Sequence, residues 1–149
     1  MSGDLRDLYQ EVIFDHYKRP RNRGALEAAT HHAEGHNPLC GDQVTIYLDV
    51  DDGVVKDVRF EGAGCAIATA SASLMTEALK GRTVAEVDAL FRRFHDLVTD
   101  DNAKASPELG KLEVLAGVRE FPARVKCATL AWHTLNAALR NRHEPVSTE

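Results

Sequence analysis

The chain has 149 residues, of which 44% are hydrophobic and 28% are charged, values that are typical of a globular protein. The net charge of −5 argues against a protein that binds nucleic acid through the phosphate backbone, because such proteins are normally basic. No apolar run approaches the roughly 20 residues that cross a bilayer, and the first residues lack the apolar core of a secretion signal. We therefore expect a cytoplasmic protein with no membrane or nucleic-acid partner, folded as one domain over residues 1–149 with a frayed tail at 143–149.

The chain opens with a predicted helix. Apolar residues recur at helical spacing over residues 5–18, and Asp4 stands where it could cap the helix. Pro20 disfavours helical geometry in the residue before it, so the helix should end near Lys18.

A small antiparallel sheet is predicted next. Residues 30–36 are consistent with a short edge strand, and residues 43–50 and 54–60 are rich in β-branched residues or alternate apolar and polar. The Asp-Gly pair at 52–53 between the last two segments predicts a hairpin.

The remaining elements are predicted to be helical. A glycine-rich turn at 61–64 leads into a helix over 66–79 that Gly81 ends. Thr83 and Glu86 form a predicted capping box, which starts another helix.

Two more helices are predicted near the end of the chain. Ser106 and Pro107 favour a helix over 107–117, residues 118–123 break it, and residues 124–142 form a long amphipathic helix with Trp132 in the core. A helix, a small antiparallel sheet and then helices indicate an α+β fold.

The chain has three cysteines, Cys40, Cys65 and Cys127. An odd number cannot pair fully within one chain and cytosolic thiols stay reduced, so these are buried thiols, reactive thiols or metal ligands. Cys65 is predicted where the glycine-rich turn meets a helix, and Cys127 in the first turn of the last helix. The dipole at a helix N-terminus favours a thiolate, so we predict lowered pKa values for both. Arg124 and Lys126 add positive charge around Cys127.

Asp42 lies two residues after Cys40, and Gly41 between them lets the turn fold tightly enough for both side chains to face one ion. A carboxylate and three thiolates make four donors, which tetrahedral Zn²⁺ accepts. The oxygen donor suggests a site that can exchange a ligand. The spacing of the cysteines is not that of a zinc finger, so the residues alone leave open a metal site, a thiol-transfer site and cysteines that simply fill the core.

Histidines provide a further possibility. His31, His32 and His36 lie near the Cys40 turn, where they would form either a second metal cluster or solvated loop positions. His16, on the first predicted helix, suits packing or contact with a partner.

Residues 37–42 (NPLCGD) and 62–73 (GAGCAIATASAS), with the segment 8–22, resemble the U-type iron–sulfur cluster assembly family over about residues 5–142. The resemblance implies a three-stranded antiparallel sheet with helices packed on it. It also implies one exposed site at the end of the molecule, where four side chains meet: Cys40, Asp42, Cys65 and Cys127.

Within that family, three departures from the IscU branch favour the SufU branch of zinc-containing sulfur acceptors. Lys126 stands where IscU scaffolds carry a histidine, residues 120–126 lack the Leu-Pro-Pro-Val-Lys motif, and residues 82–103 look like an insertion. Arg124, three residues before Cys127, matches the SufU pattern.

The resemblance to SufU implies that Cys40 takes persulfide sulfur from a SufS-type cysteine desulfurase, while a histidine of the desulfurase takes its place on zinc. Asp42, Cys65 and Cys127 would hold the ion throughout, and the sulfur would pass to a downstream iron–sulfur scaffold or leave with a reductant. Arg124 would touch the partner or pair with Asp42, and Lys126 would favour the anionic site through its charge.

Two alternatives remain open at the level of sequence. The same ligands could assemble a transient [2Fe–2S] cluster on a scaffold protein. The zinc could instead only stabilise the fold.

Overall fold

The computed structural model describes residues 2–38, 40–100, 108–140 and 146–147, with side chains described from Gln10 onward. In chain order, the elements are α1 (Ser2–Lys18), β1 (His31–Asn37), β2 (Asp42–Asp51), β3 (Val54–Ala63), α2 (Ala66–Leu79), α3 (Val84–Thr99), a 3₁₀ helix (Gly110–Glu120), α4 (Pro122–Leu139) and β4 (Val146–Ser147). This arrangement confirms the predicted α+β class. Within the described ranges, no helix combines the length and the apolar character that crossing a membrane requires.

The sheet has the strand order β3-β2-β1-β4. β1 pairs antiparallel with β2, and β2 pairs antiparallel with β3, as expected. The fourth strand was not predicted: Val146 pairs in parallel with Gly35 of β1, within the 143–149 segment that the sequence suggests is frayed. Two residues are too few to show a strand periodicity, so this pairing depends on tertiary contact alone.

The β2–β3 hairpin is the one that the Asp-Gly pair predicts. Asp52 and Gly53 both have positive φ angles, 53° and 75°, as a two-residue hairpin of the twisted type requires. β3 runs on to Ala63, so the predicted glycine-rich turn at 61–64 is mostly strand. Gly62 is needed there because a Cβ at this position would overlap the backbone of Gln43 on β2.

The core lies between one face of the sheet and the helices α2 and α4, and it continues where α3 packs on α4 and on the 3₁₀ helix. Alternate residues of β2 (Val44, Ile46 and Leu48) are buried against it, because successive side chains of a strand point to opposite faces. Trp132 of α4 is fully buried, as predicted, and its ring stacks on Phe94 of α3 with centroids 4.5 Å apart.

The predicted helices agree with the structure to different degrees. α2 spans the predicted 66–79, and the capping box of α3 is present, with Thr83 Oγ1 accepting from the Glu86 amide at 3.1 Å. In place of the helix predicted over 107–117, the chain forms a 3₁₀ helix that begins at Gly110. The predicted cap at 106–107 lies outside the described residues.

α1 and α4 both begin earlier than the sequence suggested. α1 begins at Ser2, so Asp4 lies inside the helix and does not cap it. α4 begins at Pro122 and not at 124, because proline at the first helical position is favourable and holds the preceding Phe121 in an extended conformation. Cys127 is therefore the sixth residue of α4, in its second turn, and the predicted first-turn position is wrong.

α1 is attached to α2 through a buried histidine. His16 is 1% exposed, and its Nδ1 lies 2.7 Å from the hydroxyl of Ser73. The Arg21 amide donates to the same hydroxyl at 2.9 Å. Burial lowers the pKa of His16, so the imidazole is neutral in the fold, which agrees with a packing role.

Candidate metal centre

The turn between β1 and β2 presents the first thiol. Gly41 has a φ angle of +72°, a left-handed conformation that favours glycine, and the Cys40 amide donates to the Asn37 carbonyl at 3.3 Å. This tight turn leaves Cys40 exposed to solvent. Asp42, the first residue of β2, is 1% exposed, so two positions on either side of Gly41 supply an accessible thiol and a buried carboxylate.

The Asp42 carboxylate rests on the start of α2. Its Oδ1 accepts the Cys65 amide at 2.8 Å, and its Oδ2 lies 4.0 Å from the Cys65 Sγ. A Cβ on Gly64 would lie 2.8 Å from Oδ1, closer than real Cβ contacts come, so glycine is required for this approach. Sequence reasoning did not single out Gly64 as a site residue, although the Gly-x-Gly pattern just before Cys65 was a usable signal.

Cys65 lies at the N-cap of α2, as the sequence indicated. Its Sγ accepts the Ala68 amide at 3.4 Å, so the thiol itself satisfies one of the free amides of the first turn. The residue is half-buried, which leaves it less accessible than Cys40 and more accessible than Cys127.

Cys127 is fully buried on α4. Its Sγ lies 3.4 Å from the Cys40 Sγ and donates to the Ala123 carbonyl at 3.5 Å. Burial, together with hydrogen bonds to neighbouring side chains of the cluster such as Asp42, raises the pKa of Cys127 well above the usual range. The predicted lowering is therefore wrong for this residue, because desolvation opposes the thiolate and the second turn is beyond the strongest part of the helix dipole.

A buried amide also contacts the cluster. Asn37, at the end of β1, is 0% exposed, and its Nδ2 donates to the Cys127 Sγ at 3.7 Å. In the sequence, Asn37 stands out only as the first residue of the NPLCGD segment, from which no role was predicted for it. An amide that donates to sulfur stabilises negative charge on that sulfur.

The four predicted ligands are thus close together in space. The donor atoms of Cys40, Asp42 and Cys127 all lie within 4.8 Å of one another. Cys65 is outside this mutual group, and its Sγ lies 4.0 Å from the Asp42 Oδ2. Donors around tetrahedral zinc stand roughly 3.3–3.8 Å apart, given bonds of about 2.0–2.3 Å. The donors of Cys40, Asp42 and Cys127 therefore suit one tetrahedral divalent ion, and Cys65, whose Sγ lies 4.0 Å from the Asp42 Oδ2, can supply the fourth donor after a change in its side-chain position.

Arg124 and Lys126 lie on the first turns of α4. Arg124 is exposed, and the pKa of its guanidinium is raised, first by the negative charge that Cys65 carries when ionised and then by a hydrogen bond with the Cys127 side chain. Among the ion pairs found in the described ranges, none joins Arg124 to Asp42, so the guanidinium is associated with the thiols rather than with the carboxylate. Lys126 is half-buried.

The structure does not support a second metal cluster at the histidines near the Cys40 turn. His32 and His36 are exposed on β1, and His31 is half-exposed on the opposite face of that strand. In the part of the chain that the structure describes, the only group of three or more ligating side chains within 4.8 Å of one another is that of Cys40, Asp42 and Cys127.

Fold and site together define a class of small α+β proteins that gather three thiols and a carboxylate, a set able to hold a metal ion, beside the end of a sheet. The NifU-like N-terminal domain family matches residues 8–128, and the chain belongs to this family. The resemblance to U-type assembly proteins is thereby confirmed.

Individual relatives cover most of the chain. The zinc-dependent sulfurtransferase SufU of Bacillus subtilis is 42% identical over 134 residues, 90% of either chain. The iron–sulfur cluster assembly scaffold protein IscU of Thermotoga maritima is 42% identical over 138 residues, 93% of this chain and 96% of the relative.

Solved structures agree with this assignment. A candidate iron–sulfur cluster assembly scaffold protein for the SUF system from Fervidobacterium islandicum is 36% identical, with a TM-score of 0.81 over 87% of this chain and 94% of that one. The N-terminal part of a NifU-like protein from Brucella abortus is 26% identical, with a TM-score of 0.83 over 93% of this chain and 96% of that one.

Proposed function

We propose that this protein is a zinc-dependent sulfur acceptor, which takes persulfide sulfur from a SufS-type cysteine desulfurase onto Cys40 for iron–sulfur cluster assembly. The observation that carries the proposal is the unequal exposure of the cluster. Cys40 is exposed on a glycine turn, whereas Asp42 and Cys127 are 1% and 0% exposed. A macromolecular donor can therefore reach Cys40 while the other donors keep their places. The similarity to the B. subtilis zinc-dependent sulfurtransferase supports this choice.

Zinc would be held by Cys40, Asp42, Cys65 and Cys127. The donor set fits, since thiolates and a carboxylate are zinc ligands and three of the four donors, those of Cys40, Asp42 and Cys127, lie within 4.8 Å of one another. When bound, the ion would supply the positive charge that keeps the buried thiols as thiolates. This effect would be most important for Cys127, because burial raises the pKa of its thiol.

The sulfur transfer itself is a thiol–persulfide exchange with no net redox change. The Cys40 thiolate attacks the terminal sulfur of the persulfide on the desulfurase, and a new S–S bond forms at Cys40. The S–S bond of the donor breaks, and the donor cysteine leaves as a thiolate. Arg124, beside the thiols, offers positive charge to the anions that take part in this exchange.

Mass spectrometry after incubation with the desulfurase and cysteine tests the proposal. The wild type should gain sulfur on Cys40, and Cys40→Ala should gain none and fail to stimulate the desulfurase. Gln43→Ala, at an exposed position beside the same turn, is the matched control and should behave like the wild type. Continued sulfur uptake and stimulation by Cys40→Ala would refute the role of Cys40.

A second candidate function is a scaffold that assembles a [2Fe–2S] cluster on the same ligands, and the similarity to the T. maritima IscU favours it. Metal content and colour discriminate between the two. Colourless protein with about one tightly held zinc per chain supports the sulfur acceptor, and stable brown protein containing iron supports the scaffold. Two features favour the sulfur acceptor. Lys126 stands where IscU scaffolds carry a histidine, and α3 lies within residues 82–103, the segment that looks like an insertion relative to IscU.

A zinc site with a purely structural role makes a different prediction. Asp42→Ala would then lower the melting temperature while leaving desulfurase stimulation unchanged whenever zinc is retained. Under the sulfur-acceptor proposal, the same variant loses stimulation, because the buried carboxylate fixes the geometry of the cluster.

A further inference from the structure

Three large hydrophobic side chains are exposed in the described part of the chain: Phe14 at 55%, Tyr17 at 43% and Phe121 at 59%. Phe121 lies between the 3₁₀ helix and α4, and the next two residues, Pro122 and Ala123, are also exposed. We call these three consecutive residues, 121–123, the Phe121 patch. Apolar groups exposed together on a surface frequently mark a contact with another molecule.

The fold gives no local reason for a phenylalanine at this position. Phe121 is the N-cap residue of α4, a position that prefers serine, threonine, aspartate or asparagine, and its side chain makes no capping hydrogen bond. Its contribution to the helix comes from the backbone, where its carbonyl accepts the amides of Arg124 at 2.8 Å and Val125 at 3.1 Å. The ring is also absent from the hydrophobic core. Neither capping nor packing therefore accounts for the aromatic side chain.

The patch borders the thiol cluster. The Cys40 Sγ lies 3.4 Å from the Cys127 Sγ, which in turn lies 3.5 Å from the carbonyl oxygen of Ala123. One residue beyond the patch, the exposed Arg124 is close enough to the thiols for their charge to act on it. Ala123 and the cation of Arg124 thus lie at the thiol cluster that contains the one exposed cysteine, and Phe121 is two residues before Ala123 at the start of α4.

We propose that the Phe121 patch is the apolar anchor by which this protein docks on the cysteine desulfurase, an inference that rests on the proposed function. Sulfur transfer requires the Cys40 Sγ to approach the persulfide within bonding distance, so the surface around the donor cysteine must cover the residues that border Cys40. The partner surface that fits has an apolar pocket for the Phe121 ring and an acidic group opposite Arg124. Aromatic and arginine side chains are the residues that most often dominate such interfaces.

Binding of purified variants to a SufS-type cysteine desulfurase from the same organism, measured by titration calorimetry, tests the anchor. Phe121→Ala should weaken binding about tenfold or more, and Phe121→Leu, which keeps an apolar side chain, should stay within about threefold of the wild type. Phe14→Ala is the matched control and should bind normally. Its ring is equally exposed, but the neighbouring His16 packs on Ser73, eight residues or about 12 Å along α2 from Cys65.

Phe121→Ser separates docking from stability. Serine is a preferred N-cap residue, so this variant should melt at the same temperature as the wild type or higher, while binding the desulfurase about tenfold or more weakly. A lower melting temperature accompanying normal binding would show that the ring serves the fold, and would overturn the anchor.

A small sulfur donor separates this proposal from the proposed function. Glutathione persulfide needs no docking surface, so Phe121→Ser should take sulfur from it onto Cys40 at the wild-type rate. If the Phe121 variants bind the desulfurase weakly while Cys40 gains no sulfur from either donor, the anchor stands and the sulfur-acceptor function fails. Unchanged binding by Phe121→Ala, equal weakening by Phe14→Ala, or no binding by the wild type overturns the anchor.

Discussion

The starts of α2 and α4 make an instructive comparison, because each brings a cysteine to the same cluster by different means. At α2, Cys65 is the N-cap residue, half-buried, with its sulfur accepting the Ala68 amide at 3.4 Å. At α4, Cys127 lies in the second turn, fully buried, with a raised pKa. The sequence predicted similar thiols at both places, so the difference shows what a helix position can and cannot determine.

The physical reason is the range of the two effects. The field of a helix terminus acts mainly within the first turn, whereas desolvation acts wherever a side chain is buried. Because α4 starts two residues earlier than predicted, Cys127 lies beyond the main reach of the helix-terminus field. Its pKa is therefore controlled by desolvation.

The alkylation rates of the thiols should differ most. In chelator-treated protein at pH 8, iodoacetamide should modify Cys40 fastest and Cys127 about 100-fold more slowly, with Cys65 between them, because only an accessible thiolate reacts. Peptide mass spectrometry over time measures each rate, and the rates should become similar in urea. Native labelling of Cys127 as fast as that of Cys65 would remove the distinction between the two helix starts.

Gly64→Ala tests the close approach at the start of α2. The added Cβ would lie 2.8 Å from the Asp42 Oδ1, so the carboxylate must move and zinc affinity should fall about 10–100-fold, as for changes that misplace a ligand. Competition with a chromogenic chelator measures this affinity. Gly117→Ala, where a Cβ meets nothing within 4 Å, is the control and should bind zinc normally. Normal affinity in Gly64→Ala would show that Asp42 is not a constrained ligand.

His16 makes the attachment of α2 dependent on pH. The folded pKa of His16 is lowered, chiefly by burial and also by Arg21, and Lys111 acts in the same direction while Glu77 and Asp15 oppose it. The unfolded chain therefore binds the proton more tightly, so stability falls as pH drops below about 6.5, the unfolded value.

The melting temperature should accordingly fall when the pH is lowered from 7.5 to 5. His16→Asn should remove much of this pH dependence, and at pH 7.5 its free energy of unfolding should be about 1–3 kcal/mol lower than that of the wild type. His133, whose pKa burial also lowers, should account for part of the remaining slope. His32→Asn, at an exposed position of β1, is the control and should keep the wild-type profile. A profile in His16→Asn as steep as that of the wild type would exclude His16 as its source.

The helix caps should give the smallest effect. Thr83→Ala removes the hydroxyl of the capping box on α3 and should lower the free energy of unfolding by about 1 kcal/mol, measured by urea denaturation. Cys65→Ala, compared in metal-free protein, should cost less, because sulfur is a weaker acceptor than a hydroxyl oxygen. Thr99→Ala, at the exposed end of α3, should remain within about 0.5 kcal/mol of the wild type. A larger loss in Cys65→Ala than in Thr83→Ala would contradict this order.

Features with local causes were predictable from the sequence. The Asp52-Gly53 hairpin, the capping box at Thr83 and the limits of α2 follow from residues within four positions of one another, and the structure agrees with each. The failures occur where tertiary packing competes with local preference. The segment after residue 107 forms a 3₁₀ helix whose Leu112, Leu115 and Val118 are buried in the core, and helical propensity alone does not specify that geometry.

Residue types and local patterns were enough to identify the side chains that could bind a metal, because thiols and carboxylates are metal ligands and glycines mark the turns that hold them. The differences among the three thiols arise from packing in three dimensions. Sheet pairing and helix packing brought Cys40, Cys65 and Cys127 together from distant parts of the chain, left the first exposed and buried the last. Exposure and pKa depend on what surrounds a side chain in space, and neighbours in sequence supply only part of that surrounding.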